Sequence, residues 1–428
     1  MRQYFFVLGR NSTLSTAEII SVLNVRKISY SIKKLSPEIC ILSSNHSLDT
    51  NELMKTLGGT VKIGEILDEV GFDEDEVNFE KIFLASNLTS KYLPKREGKL
   101  HIGVSIYNAG GSNQYVAQLE KRLKEINLTI KENLKEKGAR IGFVQIKGRV
   151  LSSVSVAKNS LLTQGAEFVL ILSADKIMVG KTLAVQEFET FSFRDFFRPQ
   201  KDKRSGIMPP KLARMMINLA SINKNALLLD PFCGSGTILQ EAIFLGFKNI
   251  IGCDISGKAI SDTKENIDWL FKNFRYLNQS KFNLKLFSID VRNISQKIPQ
   301  NLVDAIITEP YLGPPMFKMP DLKTVERLLP QLSILYFDTF FQFAKIMKKG
   351  GKMVIIFPAF AIGSQIYFVP ILEKIKTLGF KQCDIFPKEL QNNPAINLTL
   401  RHSILYGGEE QFVKREILCF SFRTILDF

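Results

Sequence analysis

Three consecutive leucines, Leu227-Leu228-Leu229, end in Asp230 and run straight into Pro231-Phe232-Cys233-Gly234-Ser235-Gly236-Thr237, after which residues 238–245 are largely apolar. So short an apolar run reads as a buried strand, and the glycines behind it mark a tight turn into a helix. This βα corner is the repeating joint of a doubly wound parallel sheet, and strand and helix patterns alternate from Asn225 onward. Glycine lets a ligand approach the backbone closely, and the helix start offers free N–H groups to an anion. Two phosphate-binding readings fail on the residues present. No Gly-Lys-Ser/Thr comes after the turn, and a dinucleotide fingerprint needs a third glycine where Leu239 stands.

The anion that suits this turn is the carboxylate of the methionine end of S-adenosylmethionine. Gly-x-Gly alone also serves nucleotides and flavins, so the reading depends on the ends of the neighbouring strands. Ile250-Ile251-Gly252-Cys253-Asp254 is a second buried strand ending in a carboxylate, 24 residues after Asp230. That is where a ribose diol is gripped by charge-assisted hydrogen bonds. Asp290 ends a third strand, 284–289, and is placed to meet an adenine amino group. A fourth strand from Val303 ends in Thr308-Glu309-Pro310-Tyr311-Leu312-Gly313. A planar exocyclic amine is a poor nucleophile because its lone pair is conjugated into the ring. Glu309 and the carbonyl of Pro310 are suited to accept its N–H bonds and localise that pair, and Tyr311 to stack on the base.

The 428 residues exceed one ordinary core and predict two to four domains. The first ~70 residues read as a small α/β unit, with Ser15 and Glu18 at capping-box spacing. An acidic stretch from Asp68 to Glu76 comes next, and a second unit starts near Phe79. Its long charged helix, about 114–137, carries Leu123, Ile126 and Ile130 on one face and ends at Gly138. A strand at 141–146 succeeds it. Residues 186–222 concentrate cations: Arg194, Arg198, Lys201, Lys203, Arg204, Lys211 and Arg214. With a net charge of +15, this favours a polyanionic partner, whose counterions are released on binding. Lys121, Arg122, Lys124, Lys131, Lys135, Lys147 and Arg149 are weaker candidates, because helix-surface cations are usually only solvated. The longest apolar run, 353–362, is half the ~20 residues a membrane span needs, and no secretory leader is visible. A cytosolic protein is expected. Five scattered cysteines and three separated histidines support neither a disulfide framework nor a metal site.

At these residues the chain resembles the class I methyltransferases that modify exocyclic amines, and more narrowly the THUMP-domain tRNA guanosine N2-methyltransferases. The resemblance runs through Leu8-Gly9-Arg10 with Leu14-Ser15-Thr16-Ala17-Glu18, Lys158-Asn159-Ser160-Leu161-Leu162 with Gly165-Ala166-Glu167, and Gly180-Lys181-Thr182 with Val185-Gln186. It continues through Arg194-Asp195, Arg198-Pro199 and the stretch from Gly206 to Ala220, and it includes the glycine turn almost unaltered. One departure stands out. The family's fourth motif usually reads Asp-Pro-Pro-Tyr, whereas here Glu309 occupies the Asp position, Tyr311 the second proline and Leu312 the tyrosine. Tyr311 or Phe317 is then the candidate stacking ring.

The resemblance implies an α/β chain whose Rossmann-like class I methyltransferase domain, with a seven-stranded sheet, comes after ferredoxin-like and THUMP α/β domains. It implies boundaries at 1–75 (ferredoxin-like), 76–185 (THUMP, RNA-binding), 186–222 (basic linker and pre-catalytic helix) and 223–428 (methyltransferase). Glu309, Pro310 and Tyr311 are the expected catalytic group. Asp230, Pro231, Phe232, Gly234, Gly236, Thr237, Asp254 and Asp290 are the expected cofactor contacts. Arg194, Arg198, Lys201, Lys203, Arg204 and Lys211 are expected to bind RNA. The implied partner is tRNA or another structured RNA, with no membrane, no metal and an activating subunit left open. Methylation of ribosomal RNA, methylation of DNA and noncatalytic RNA binding stand as the alternatives.

Overall fold

The computed structural model describes residues 1–71, 93, 98–136, 140–144, 147–201, 207–316 and 318–423. Several expectations lie outside these residues: the acidic stretch beyond Gly71, the start near Phe79, the helix end at Gly138, residues 145–146, Lys203, Arg204, Gly206 and Phe317. The chain forms two compact units, one of residues 1–19, 26–188 and 393–396, the other of 20–25, 189–392 and 397–423 with the chain's end.

The first unit is built on eight strands: β1 (Arg2–Leu8), β2 (Tyr30–Leu35), β3 (Ile39–Ser44), β4 (Thr60–Gly71), β5 (Lys99–Asn108), β6 (Arg140–Phe143), β7 (Gly165–Leu172) and β8 (Lys176–Val185). They form one sheet in the order β2-β3-β1-β4-β8-β7-β5-β6. The antiparallel pair β4–β8, from Lys62 opposite Val185 to Gly71 opposite Lys176, joins strands expected in two separate domains. Helices α1 (Ser12–Val25), α2 (Thr50–Thr56), α3 (Asn113–Glu136) and α4 (Ser153–Lys158) accompany it. On α3, Leu119, Leu123, Ile126, Ile130 and Leu134 recur at helical spacing and are buried in one cluster with Ile102, Val104, Phe168 and Leu170. The capping-box reading of Ser15 and Glu18 is corrected. Helix α1 begins four residues earlier, with Asn11 Oδ1 accepting from the Leu14 N–H at 2.9 Å. Glu18 is wholly buried and accepts the backbone N–H groups of Gly58 and Gly59, each at 2.8 Å.

Lys62 and Glu167 form an ion pair inside this unit, 1% and 0% exposed. Glu167 also accepts the hydroxyls of Ser105 at 2.5 Å and Thr182 at 2.6 Å, and Lys62 donates to the Leu151 carbonyl at 2.6 Å. One carboxylate thus ties β4, β5, β7 and β8 together. Burial pushes the Lys62 ammonium below its ordinary pKa, while Glu167 pulls it back up.

The second unit opens with α5 (Phe188–Phe196), in the stretch expected as a basic linker, and α6 (Pro210–Leu219), where a helix was expected ahead of the sheet. Alternation then sets in: β9 (Leu227–Asp230), α7 (Thr237–Phe244), β10 (Asn249–Asp254), α8 (Gly257–Asn273), β11 (Asn283–Ser288), β12 (Val303–Thr308), α9 (Leu322–Ile346) and β13 (Met347–Ile362). The chain closes with β14 (Gln365–Phe368), α10 (Leu372–Lys376), β15 (Phe380–Gln382), α11 (Lys388–Gln391), β16 (Ile404–Tyr406) and β17 (Val413–Phe422). The sheet has nine strands where seven were expected: seven lie on the path β11-β10-β9-β12-β13-β17-β15, and β14 is added on β13 and β16 on β17. Strands β9 to β13 pair in parallel, and β17 returns antiparallel beside β13. Strand order reverses between β9 and β12, and a crevice at the carboxyl ends of such a pair is where open α/β sheets take ligands. One face is filled by Tyr336, Phe340 and Phe343 of α9 against Phe357, Phe380 and Phe420 of the sheet. Among the described residues no helix is long and apolar enough to cross a membrane.

Removing one partner of a buried ion pair strands the other charge. Lys62→Met should therefore lower unfolding free energy by roughly 3–5 kcal/mol. Urea denaturation checks this, and a loss below about 1 kcal/mol would contradict the assigned role.

Candidate active site

The glycine turn is held from below by a carboxylate. Asp230 is 1% exposed, and its Oδ1 accepts the Thr308 hydroxyl at 2.8 Å and the Phe232 N–H at 3.2 Å. The ends of β9 and β12 are thereby tied together. Burial pushes this carboxyl up to about 7, with Asp254 and Glu309 adding repulsion. Asp230, expected as a cofactor contact, stands in the structure as the brace beneath the turn.

The two glycines have different reasons to be glycine. Both adopt positive φ, +53° at Gly234 and +81° at Gly236. A Cβ on Gly236 would lie 2.8 Å from Thr263 Cγ2, so that residue is glycine for close packing on α8 as well. A Cβ on Gly234 would meet no atom within 4 Å. Helix α8 holds the turn's carbonyls: Thr263 Oγ1 donates to Gly234 O at 2.7 Å and Asn266 Nδ2 to Ser235 O at 2.8 Å. Asp254, at the end of β10, spans the turn, accepting the Gly234 N–H at 3.0 Å and the Ser256 N–H at 2.9 Å on its two oxygens. It is half-buried. Asp254 and the turn thus come together as expected.

Asp290 stands differently. It caps the 3-10 turn Val291–Gln296, and both its oxygens are taken by the half-exposed Arg292 guanidinium. That bond holds the carboxyl below its ordinary range.

Glu309 has a partner that no local pattern announced. Arg415, on β17, donates from Nε to Glu309 Oε1 at 2.5 Å and from Nη2 to Oε2 at 3.3 Å, with both side chains 15% exposed. Two residues 106 positions apart meet because β17 runs back along β13, with Arg415 opposite Pro358. Pro310 is buried. The Tyr336 hydroxyl donates to the Tyr311 carbonyl at 2.7 Å, fixing the backbone while Tyr311 as a residue remains 55% exposed.

The expected RNA contacts are corrected in part. Arg194 and Arg198 are each only 3% exposed, which removes them from a phosphate-binding surface. Arg194 forks onto buried Glu241 at 2.7 and 3.3 Å, sandwiched between the Phe191 and Phe244 rings. Arg214 reaches the same glutamate at 2.7 Å. Glu241 sits in an apolar helix, and two guanidiniums offset its desolvation. Arg198 donates to Thr237 Oγ1 at 2.5 Å. Lys201 is half-exposed and turns back to the Phe196 carbonyl, while Lys211 is exposed beside the Phe191 ring. No group of His, Cys, Asp and Glu among the described residues is arranged to hold a metal ion.

Known proteins share this fold. A solved structure of TrmN from Thermus thermophilus superposes with a TM-score of 0.56 at 14% identity, covering 98% of this chain and 99% of that one. The fold is that of a Rossmann-like methyltransferase. Residues 185–265 match the N6_N4_Mtase family, described as DNA methylase. The tRNA (guanine(10)-N2)-dimethyltransferase of Methanocaldococcus jannaschii is 28% identical over 200 residues, 44% of this chain and 50% of that protein. The protein of the same name from Methanothermobacter thermautotrophicus is 33% identical over 149 residues, 33% of this chain and 38% of that protein. The match therefore spans half or less of these relatives' length.

The raised pKa of Asp230 makes stability pH-dependent. Its contribution is complete below about 4, the ordinary carboxylate range, and is lost as pH rises through about 7. Asp230→Asn keeps an acceptor for Thr308 and Phe232 yet cannot ionise. Its melting temperature relative to wild type should rise between pH 5 and pH 8, by several degrees; a constant difference across that range would contradict a buried, protonated Asp230.

Proposed function

We propose that this chain transfers a methyl group from S-adenosylmethionine to the exocyclic N2 amine of a guanosine in tRNA. The observation that carries the reading is the meeting of Asp254, the Gly234 turn and Glu309 at the ends of β10, β9 and β12. The names borne by the two relatives supply the substrate.

The residues present fit the cofactor. Gly234 leaves open space where a side chain would stand, and Asp254 and Glu309 lie near enough to raise the pKa of Asp230, giving acidic surroundings suited to a cation. Asp254 would hold the ribose hydroxyls, and the start of α7, behind Pro231, Phe232, Gly236 and Thr237, would receive the carboxylate. When bound, S-adenosylmethionine supplies an electrophilic methyl on a sulfonium. The protein's own part is positioning. Glu309 and the Pro310 carbonyl accept the two N–H bonds of the amine, which localises its lone pair on nitrogen. The exposed Tyr311 ring stacks on the base, and the Glu309 carboxylate takes the proton the amine sheds. Arg415 fixes the longer glutamate in place of the family's aspartate. Residues 1–75 as a ferredoxin-like domain and 76–185 as a THUMP domain would hold the RNA by shape and phosphate contacts, with 186–222 as linker and 223–428 catalytic. Lys201, Lys203, Arg204 and Lys211 remain the linker cations for that task, and a cytosolic location accords with a tRNA substrate.

A DNA amine is the second reading, because the family matched at residues 185–265 is described as DNA methylase. Tritium transfer from methyl-labelled cofactor to tRNA, ribosomal RNA and DNA separates the readings, with nucleoside analysis of the product. N2-methylguanosine or its dimethyl form in tRNA is expected; labelled DNA alone, or no transfer to any acceptor, would overturn the proposal. Glu309→Ala should leave cofactor affinity within about twofold and cut transfer by at least 100-fold, consistent with loss of a group acting mainly in the transition state. Asp254→Ala should instead weaken cofactor binding in calorimetry, and unchanged affinity would refute its role.

A further inference from the structure

Arg198 is a buried cation with too few partners. It is 3% exposed, its Nη1 donates to Thr237 Oγ1 at 2.5 Å, and its Nε and Nη2 are buried without any hydrogen-bond acceptor. Stranding charged donors in this way is costly, and native structures rarely tolerate it without a reason. The nearby carboxylates do not relieve it. Asp195 and Glu241 act on Arg198 through space but accept none of its N–H groups, and Glu241 is already forked by Arg194 and Arg214.

The position makes the situation less favourable still. Thr237 is the first residue of α7, the helix opened by the glycine turn. The positive end of a helix repels a guanidinium unless an anion lies between them. Gly236, its N-cap, offers no side chain to receive the first free N–H groups. Donors without acceptors therefore converge from two directions, from the helix start and from Arg198.

We infer that Arg198 is the counter-ion for a small carboxylate seated at the start of α7, namely the amino-acid carboxylate of the S-adenosyl compound. The inference rests on the methyltransferase reading above and makes Arg198 a cofactor-binding residue instead of an RNA contact. A phosphate of the RNA backbone has the same charge, but a 3% exposed guanidinium is inaccessible to a polymer lying on the surface.

Calorimetry on the full chain tests this with S-adenosylhomocysteine and with its decarboxylated analogue, 5′-(3-aminopropylthio)-5′-deoxyadenosine. Wild type should prefer the carboxylated compound. Arg198→Met should weaken S-adenosylhomocysteine by roughly 10- to 100-fold, as expected for loss of a charge-assisted hydrogen bond, while leaving the decarboxylated analogue within about twofold. Arg198→Lys should recover part of the preference. Because Met removes the stranded donors, the ligand-free variant should melt no lower than wild type. Equal weakening of both compounds, a lower melting temperature without ligand, or a defect confined to tRNA binding would each overturn the inference. Failure of wild type to bind either compound would overturn the methyltransferase reading itself, which keeps the two outcomes distinct.

Discussion

The hydrogen bond from Thr308 to Asp230 is the joint on which this site is built. It fastens the ends of two neighbouring parallel strands at the place where the strand order of the sheet reverses. A carboxylate with almost no exposure is expensive to bury, and two further carboxylates nearby increase the cost. The protein tolerates this because the same oxygen also takes the Phe232 N–H, which sets the path of the chain into the glycine turn. With that path set, Gly234 presents its backbone to open space, and Asp254 closes on it from the next strand.

Three arginines of the cation-rich stretch point inward. A net +15 with a cation-rich stretch before β9 suggests a surface made for a polyanion. Yet Arg194, Arg198 and Arg214 are buried, and two of them serve a single glutamate on α7. Arg415 and Arg292 each hold a carboxylate at the end of a strand. These arginines allow several acidic groups to converge at the carboxyl ends of the strands without mutual repulsion opening the sheet. Such convergence suits a cationic nucleoside and an amine that needs acceptors.

The parts of this arrangement that are local in the chain were legible in the sequence. The strand, glycine turn and helix from Leu227 to Phe244 are contiguous in the chain, and Asp254 comes at the spacing of one βα unit. The parts that depend on pairing between distant segments were not. Nothing near Glu309 points to Arg415, which reaches it only through the antiparallel return of β17. Whether a cation in the linker faces water or Glu241 is settled by packing on α7, and the run of arginines alone favoured the surface. The shared sheet of the first unit escaped for the same reason, since β4–β8 pairing crosses more than 100 residues. Helix α1 shows a local failure: Asn11 and Ser15 are both good caps, and tertiary bonding of Glu18 to Gly58 and Gly59 decided between them.

On the proposed function, the turn at Gly234 seats an adenosyl compound whose sugar lies against Asp254. A crystal of the full chain soaked with S-adenosylhomocysteine addresses it directly. Density for the nucleoside is expected over Gly234, with the ribose hydroxyls within hydrogen-bond distance of the Asp254 carboxylate. A turn closed over by neighbouring side chains, or the compound bound elsewhere with Asp254 untouched, would contradict it.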